Sequence, residues 1–488
     1  MQLEIRAQSI ETVQADAVVV GVFSDGIMTP SAAYAEAACE GAITEMIAEG
    51  DFDTQLGSTI VLRDMEGIWS RRLVLLGLGK LEDYDDEAYV KAVDAALKAT
   101  KAKTVALPLE DWIPPTRSIE WAVEHFARLA LTQKEPLKCD EVTLIDDHTY
   151  MIVVEEEEKK SIAKALKLGQ AKACAVNNAK HWANMPSNFC TPDFLAQTAQ
   201  KMADIKHVTV KIHDAEAIRK LGMNAFLAVA QGSKMEPRFI ELHYTGAAKD
   251  KAPIVMVGKG ITFDAGGLCL KPGAHMTEMK YDMCGAAAVM AAFKAVAKMG
   301  LKRNLIALIP ACENMPDGVA YKPSDVITAL NGKTIEVQNT DAEGRLLLAD
   351  ALAYAERFNP KTIVDVATLT GAMGVALGNH HHGLFVNDPK LCKAFEEAAD
   401  RTMEPLWALP FGGRYYTDLL KSNVADIANI GPRGEAGASV AATFLSKFVP
   451  EGAAWAHLDI AMTAWKSGRQ PQATGRPVPL LIDWLVNA

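Results

Sequence analysis

The sequence lacks any apolar run long enough to cross a membrane as a helix. Although 49% of its 488 residues are hydrophobic, no stretch approaches the roughly 18 consecutive apolar residues that a transmembrane helix requires. The first residues, MQLEIR, also lack the basic and then apolar blocks of a secretory signal. We therefore expect a cytoplasmic protein with no membrane partner.

Paired cysteine spacing is missing as well. The eight cysteines are scattered along the chain, at positions 39, 139, 174, 190, 269, 284, 312 and 392. This pattern indicates neither a disulfide framework nor a Cys-x-x-Cys metal site. We expect buried free thiols.

The chain also lacks an excess of positive charge. The 50 Lys and Arg residues are outnumbered by 61 Asp and Glu residues, which gives a formal net charge of -11. Such a balance disfavours non-specific binding to nucleic acid, although a local basic patch would be compatible with it.

The N-terminal part of the chain alternates strand-like and helix-like segments. Strands are predicted at 16–23, 59–62, 73–77 and 104–107, helices at 31–48, 87–100 and 118–131, and a closing hairpin at 142–146 and 150–154. Alternation of this kind predicts a small α/β domain, to which we assign residues 1–158.

A long helix and a second α/β domain are predicted to follow. The run EEEEKK at 155–160 suits the start of a helix, and we assign 159–185 to a linker helix that ends before Pro186. Strands predicted at 208–212, 239–242, 254–257, 304–309 and 362–366 fall within 186–488. The expected architecture there is a mixed, mainly parallel sheet sandwiched by helices.

The segment NTDAEGRL at 339–346 carries side chains of both charges. Asp341, Glu343 and Arg345 occupy alternate positions, so an extended backbone would project all three side chains from one face. The apolar stretch after them predicts a buried helix, and junctions of strand and helix commonly hold active sites in α/β sheets. The alternative is an acidic helix start on the surface.

A second polar stretch begins where the predicted strand 254–257 ends. It contains Lys259, Asp264, Lys271 and Asp282. Taken singly, Asp282 could cap the next helix, and the lysines could be exposed. Together with Asp341 and Glu343, however, four carboxylates would repel one another unless cations lay between them. Oxygen-rich sets of this kind suit magnesium, manganese or zinc, and two ions about 4 Å apart can share bridging carboxylates.

Residues 259–289, together with 339–346, closely resemble the cytosolic leucyl aminopeptidase family. Segments 222–233, 365–372 and 457–461 also resemble that family, in its order, so the resemblance covers most of the chain from about Asn184 onward. It implies a cytoplasmic, homohexameric metallopeptidase that removes N-terminal residues from peptides.

The resemblance also implies a role for each polar residue. Two divalent ions, manganese or zinc, would be held by five residues: Lys259, Asp264, Asp282, Asp341 and Glu343. Asp264 and Glu343 would bridge the ions, and a water shared by the ions would attack the scissile carbonyl. As a ligand, Lys259 would need a neutral amine.

Two further residues would act in catalysis by the same resemblance. Lys271 would stabilise the developing oxyanion. Arg345 would hold a bicarbonate ion that serves as general base, and its forked guanidinium suits a planar oxyanion.

A pocket for the N-terminal side chain is implied by small and apolar residues: Met279, Thr368, Leu369, Gly371 and Ala461. They would admit an aliphatic residue such as leucine, although each could equally be ordinary core. Cys284 and Met462 stand where many family members have glycine, which could change the side-chain preference. Neither Cys269 nor Cys284 is expected to bind metal.

Two other functions compete with this interpretation. A two-metal phosphoesterase could use the same carboxylates, and a DNA-binding or architectural role is suggested by some relatives of the family. The triple His380-His381-His382 is not interpreted as a zinc site, because adjacent histidines cannot all face one ion and a loop among glycines is expected to be exposed.

Overall fold

A computed structural model describes residues 1–8, 10–24, 26–132 and 148–488. The chain divides into two compact units, Met1–Cys174 and Ala175–Ala488. None of the helices in these described ranges is long and apolar enough to span a membrane. The strand expected at 142–146 lies outside the described residues.

The first unit contains a six-stranded, largely parallel sheet. Its described strands are β1 (Gln2–Ala7), β2 (Ala17–Phe23), β3 (Thr59–Arg63), β4 (Arg72–Gly79), β5 (Thr104–Leu107) and β6 (Thr149–Val154). They lie in the order β1-β6-β5-β2-β4-β3, and β3 is antiparallel to β4. The α-helices described beside them are α1 (Pro30–Ala38), α2 (Ala42–Glu49), α3 (Asp86–Ala99) and α4 (Ile119–Thr132).

The helix predicted over 31–48 is in fact two helices, α1 and α2. The break falls at Gly41, whose φ of 95° is left-handed and incompatible with a continuing α-helix. A single helical pattern in the sequence therefore concealed a turn.

The long helix predicted after the first domain is observed as α5 (Lys159–Asn184). It ends two residues before Pro186, in agreement with the restriction that proline places on the chain before it. The division between the two compact units falls within this helix.

A nine-stranded mixed sheet forms the centre of the second unit. Its strands are β7 (Val208–His213), β8 (Arg238–Thr245), β9 (Ile254–Gly258), β10 (Gly260–Asp264), β11 (Asn304–Asn314), β14 (Thr362–Ala367), β15 (His382–Val386), β16 (Leu406–Ala408) and β18 (Ala454–Asp459). The order is β16-β15-β18-β14-β9-β11-β8-β7, with β10 also paired to β11. Strands β18, β14, β9 and β11 are mutually parallel. Strands β7 and β8 run antiparallel to their neighbours, whereas β15 is antiparallel to β18 but parallel to β16.

Smaller elements complete this unit. Two short sheets contain β12 (Val326–Thr328), β13 (Thr334–Glu336) and β17 (Ile427–Ala428), and β19 (Trp465–Lys466) and β20 (Gln472–Ala473). The helices are α6 (Pro192–Gln200), α7 (Ala215–Leu221), α8 (Asn224–Ala230), α9 (Gly273–Met276), α10 (Cys284–Met299), α11 (Gly344–Ala355), α12 (Ala372–Leu377), α13 (Pro389–Thr402), α14 (Gly413–Asp418), α15 (Gly437–Ser446) and α16 (Val478–Asn487).

Helices cover the central strands, as the sequence predicted. Val255 and Val257 of β9 share a buried cluster with Leu346 and Leu348 of α11, while α10 packs against β9 and β14. Strands buried on both faces explain the continuous apolar runs in the sequence. The predicted class, two α/β domains with a mainly parallel and helix-flanked second sheet, is confirmed.

The carboxyl ends of the parallel strands lie at one edge of this sheet. Lys259 follows β9, Asp264 ends β10, Thr368 follows β14, and Asp459 ends β18. In open α/β sheets this edge is where ligands bind.

Candidate metal centre and adjoining cavity

The segment that carries Asp341 and Glu343 is a turn, so the extended conformation considered for it is not adopted. Residues 340–341 form the turn, and Glu343 is already in helical conformation with φ -70° and ψ -42° as α11 begins. The two acids nevertheless reach one cluster, because the turn folds them toward the sheet edge.

Three carboxylates meet at that edge. Oxygens of Asp264, Asp341 and Glu343 lie within 4.8 Å of one another. Asp264 is fixed by the side chain of Asn314, whose Nδ2 donates to Oδ1 at 2.8 Å, and by the Gly266 N–H at the same distance. A Cβ on Gly266 would lie 2.9 Å from Asp341, so glycine lets this loop approach the acids.

Lys259 and Asp282 join the cluster from its other side. The amine of Lys259 lies 2.8 Å from Asp282 Oδ1, 2.8 Å from Glu343 Oε1 and 2.8 Å from the Thr368 carbonyl oxygen. Asp282 does not cap α10, the alternative that its position in the sequence had suggested. Its Oδ1 accepts instead from the Thr368 hydroxyl at 2.7 Å.

Lys271 closes the exposed side of the cluster. Its amine lies 2.8 Å from Asp264 Oδ2 and also contacts Asp341. The side chain is 16% exposed, compared with 3% for Lys259. Of the two lysines, Lys271 is therefore the one open to a molecule that arrives from solvent.

Burial and mutual repulsion perturb the carboxylates. Burial raises the pKa of Asp264 to about 6, with a further contribution from Glu343, and burial also raises the pKa of Asp282 well above its ordinary value. The pKa of Glu343 is lowered, because Lys259 and Lys271 outweigh its burial. Conversely, the acids raise the pKa of both lysines although burial opposes this.

The cluster fits divalent metal ions. Asp282 Oδ2 and Glu343 Oε2 are buried and accept no hydrogen bond from the described residues. The four carboxylates and two lysines leave a formal charge of -2, which is costly to bury without further cations. Free carboxylate oxygens in an anionic, buried site are the ligands that hard dications prefer.

Arg345 lies in the first turn of α11, almost completely buried. Its Nη1 donates to the carbonyl oxygen of Asn429 at 2.7 Å, whereas its Nε has no partner among the described residues. Burial lowers the pKa of this guanidinium to about 10. A buried cation with an unused donor is suited to receive an anion.

Asn429 links Arg345 to the turn that carries Asp341: its carbonyl oxygen accepts from Arg345, and its side chain bonds to the backbone just before that turn. Its Oδ1 accepts from Gln338 N and Asn339 N at 2.8 and 3.3 Å, and its Nδ2 donates to Asn339 O at 2.7 Å. These hydrogen bonds therefore fix the loop after β17 against the turn that carries the acids.

Asp459 organises the segments that carry three expected pocket residues. It accepts hydrogen bonds from the N–H groups of Leu369, Thr370 and Ala461 at 3.1, 3.1 and 3.2 Å, and from the Thr370 hydroxyl at 2.7 Å. Thr368 contacts the cluster directly, as described above. Thr368, Leu369 and Ala461 are thus brought to the sheet edge.

The other expected pocket residues lie beside this group. Met279 opens the 3₁₀ turn Met279–Met283 that carries Asp282, and Gly371 is an exposed residue at the start of α12. Of the two departures from the family, Met462 packs next to Gly374 of α12, and Cys284 is buried at the start of α10.

The cysteine near the acids has a structural contact. The N–H of Cys269 donates to the Thr340 hydroxyl at 2.8 Å, and its sulfur accepts from Thr340 N at 3.5 Å. Cys269 therefore links the loop that contains Gly266 to the turn at 340–341.

The histidine triple differs in one respect from expectation. His382 is not in an exposed loop: it begins β15, is fully buried, and its Nδ1 lies 2.6 Å from the Thr463 hydroxyl. A residue can adjoin glycines and still enter a sheet when the next positions, Leu384 and Phe385, are apolar.

A cavity of about 840 Å³ is lined in part by Asn339 and Arg345, which flank the turn that carries Asp341. Its other walls come from α12, from Leu409, from the loop 430–436 and from the first turn of α15: Ala372, Val375, Ala376, Leu409, Ile430, Gly431, Pro432, Arg433, Gly434, Glu435, Ala436, Gly437, Ala438, Ser439 and Val440. Its size is that of a typical ligand pocket.

Sequence reasoning missed the residues that support the site. Asn314, Asn429 and Asp459 each fix a segment by side-chain hydrogen bonds to backbone or carboxylate groups. The HLDIA pattern that contains Asp459 did stand out in the sequence, but lone asparagines carry no comparable signal.

Comparisons with known proteins agree with this geometry. The catalytic-domain model of the cytosol aminopeptidase family matches residues 177–482, and the N-terminal-domain model of the same family matches 19–133. The probable cytosol aminopeptidase of Paraburkholderia phymatum is 46% identical over 484 residues, covering 98% of this chain and 95% of the relative. That of Burkholderia thailandensis is 45% identical over 490 residues, covering 99% and 96%.

A solved structure is similar as well. The bottromycin maturation enzyme BotP, also determined in complex with Mn, shares 31% sequence identity with this chain at a TM-score of 0.81. The alignment covers 97% of this chain and 99% of BotP.

Proposed function

The chain belongs to the cytosol aminopeptidase family and is thus a peptidase, and we propose that it is a two-metal enzyme that releases N-terminal residues from peptides. The observation that carries this proposal is the convergence of Lys259 and four carboxylates at the carboxyl edge of the sheet. Manganese is the metal that we favour, because the similar enzyme BotP was also determined in complex with Mn.

Five residues would hold the ions: Lys259, Asp264, Asp282, Asp341 and Glu343. Bound divalent ions would supply Lewis acidity toward the scissile carbonyl and would lower the pKa of water. Asp264 and Glu343 lie centrally in the cluster and would be shared. Lys259 would bind as a neutral amine, which requires the ions to overcome the acids that now raise its pKa.

Lys271 is proposed to stabilise the oxyanion that develops on the scissile carbonyl. Its ammonium group keeps its proton at neutral pH, because neighbouring acids raise its pKa. It is also the partly exposed cation of the cluster. A preorganised cation at this position stabilises negative charge more than water does.

Arg345 is proposed to hold an anion such as bicarbonate. The unused buried Nε and its place on the cavity wall support this role. When bound there, bicarbonate would supply general-base catalysis, and the guanidinium would keep its planar oxygens oriented.

Selectivity for leucine-like N-terminal residues is part of the proposal. Thr368, Leu369 and Ala461 would border the side chain of the first residue, with Met279 and Gly371 beside them. Because Asp459 accepts from three N–H groups on two of the backbone segments involved, the pocket would be rigid. A cytoplasmic location and assembly into a homohexamer remain proposals, and sedimentation of the purified protein tests the latter.

The decisive experiment is activity on leucine amide and leucine-initiated peptides before and after chelation, with manganese or zinc added back. We expect chelation to abolish hydrolysis and added metal to restore it. Asp341→Ala should lower kcat/KM by roughly a thousandfold, the value of several kcal/mol of lost metal catalysis. Asp204→Ala, which alters an exposed carboxylate outside the cluster, is the matched control. Full activity in the chelated sample or in Asp341→Ala would refute the proposal.

A further inference from the structure

The short turn that carries Asp282 has little support of its own. It is the 3₁₀ turn Met279–Met283, and no side chain caps its start. The hydrogen bonds of a 3₁₀ turn have poorer geometry than those of an α-helix. In the chain before it, residues 272–275 and 277 are exposed. Contacts with a distant part of the chain are therefore needed to hold the turn.

Repulsion within the cluster adds to this need. The charges of Asp264 and Glu343 oppose that of Asp282. On the C-terminal side of the turn, α10 is packed too closely to move, because a Cβ on Gly285 would lie 2.1 Å from the Val366 carbonyl oxygen. The end of the turn that still requires a support is thus its start, at Glu278.

The hairpin of β19 and β20 supplies that support. Glu278 Oε2 accepts from Trp465 Nε1 at 2.9 Å and from the Ser467 hydroxyl at 2.8 Å, and its Oε1 accepts from Gly468 N at 3.4 Å. Burial opposes ionisation of Glu278, but these hydrogen bonds outweigh it and lower the pKa of the carboxyl group. Three donors on one hairpin therefore converge on a single carboxylate.

The same hairpin contacts the residue next to Asp282. The ring of Tyr281 stacks on that of Trp465, with centroids 5.6 Å apart and an interplanar angle of 14°. The Tyr281 hydroxyl donates to the Pro471 carbonyl oxygen at 2.7 Å. Tyr281 N also donates to Glu278 O at 3.0 Å. The hairpin thus contacts the turn at both of these residues, and a backbone hydrogen bond joins the two contacts.

The base of the hairpin is fixed beside the reaction centre. Thr474 N donates to Ala464 O at 2.9 Å, and the Thr474 hydroxyl donates to Thr463 O at 2.7 Å. The chain that enters the hairpin comes directly from Asp459 and Ala461, which are hydrogen-bonded to each other at 3.2 Å. The support of the turn is therefore rooted in the central sheet, at the end of β18.

We propose that Glu278 is a positioning residue for Asp282: by binding the hairpin, its carboxylate holds the turn where Asp282 can bind a divalent ion together with the rest of the cluster. The proposal rests on the proposed two-metal function. Groups that orient a metal ligand without touching the ion commonly change metal affinity by about ten- to a hundredfold when they are replaced.

The test is manganese binding to the chelated full-length protein at neutral pH, measured by isothermal titration calorimetry. We expect Glu278→Ala to weaken the binding of one of the two ions about tenfold and that of the other less than about threefold. Glu278→Gln keeps one acceptor oxygen for the hairpin, so it should weaken the same ion only about threefold.

Trp465→Phe tests whether Glu278 acts through the hairpin, because phenylalanine keeps a ring against Tyr281 but has no Nε1 donor. It should weaken the same ion about threefold. The double variant of Glu278→Ala with Trp465→Phe should match Glu278→Ala alone within about twofold, since the hydrogen bond that both changes remove is lost only once.

Glu451→Ala is the matched control, because Glu451 is an exposed glutamate of the same unit that makes none of these contacts. Thermal melting checks that each variant is folded at the temperature of the titration. Wild-type affinity for both ions in Glu278→Ala, equal weakening of both ions, or a double variant about threefold weaker than Glu278→Ala would overturn the proposal. If the wild-type protein itself does not bind two manganese ions, the proposed function fails instead.

Discussion

Replacement of Lys259 by methionine tests how much the positive charge of Lys259 stabilises the cluster of carboxylates. Methionine keeps the unbranched apolar stem and removes the ammonium group, which now lies 2.8 Å from both Asp282 and Glu343 and donates to the Thr368 carbonyl oxygen. The variant would leave two buried carboxylates without their shared cation.

The magnitude follows from these distances. At 2.8 Å and an effective dielectric constant of about 20, each pair contributes about 6 kcal/mol of Coulomb energy. Much of this is offset by the cost of burying the charges, and removal of one partner of a buried pair usually costs about 3–5 kcal/mol. Because two carboxylates are affected, we expect the chelated variant to lose about 5 kcal/mol of unfolding free energy at pH 8.

The carboxylates determine how the stability deficit of the Lys259→Met variant changes with pH. Burial already raises the pKa of Asp282, and loss of Lys259 would raise it further. The variant can take up protons in the folded state as the pH falls, so its deficit relative to wild type should shrink toward pH 5. Added manganese should shrink it too, since dications neutralise the same oxygens.

The assay is guanidinium-induced unfolding of the chelated protein at pH 5 and pH 8, with and without manganese. Lys220→Met is the control: Lys220 pairs with Glu216 at 2.6 Å, but both side chains are more than 70% exposed, so the loss should be under about 0.5 kcal/mol. A Lys259→Met protein as stable as wild type at pH 8 without metal would refute the reasoning.

Three further predictions test the supports of the site. Gly344→Ala would place a Cβ 2.6 Å from Lys259 Cε, so we expect activity to fall at least tenfold while the fold persists by circular dichroism, whereas Gly273→Ala, which meets no atom within 4 Å, should retain activity. Asp459→Asn should raise KM for leucine amide more than it lowers kcat, because an amide cannot accept all four hydrogen bonds; an unchanged KM would contradict this role. Burial raises the pKa of Asp350 to about 7 from 3.8, which corresponds to about 4 kcal/mol of stability lost as the pH rises from about 4 to 7. At pH 5, Asp350→Asn should therefore be destabilised by about 2 kcal/mol, because one of the two backbone N–H groups that donate to Asp350 loses its acceptor. At pH 8 the variant should match or exceed the stability of wild type, as measured by chemical unfolding.

Local patterns predicted the elements well but not their boundaries or order. Apolar runs such as 254–257 and 362–366 became β9 and β14 because strands covered on both faces must be apolar throughout. The break at Gly41 could not be predicted, since an isolated glycine within a helical pattern can either be tolerated or end the helix. The neighbour order of the strands depends on pairings across more than a hundred residues, such as β9 with β14, which no local pattern encodes.

The site shows the same division between local and distant information. The acids and lysines could be identified because they cluster in two short segments that resemble a known family. Their supports could not: Asn429 is 90 residues from Asn339, and Asp459 is 89 residues from Thr370. An isolated asparagine or aspartate has many ordinary uses in turns and caps, so only the folded chain reveals which segment it holds.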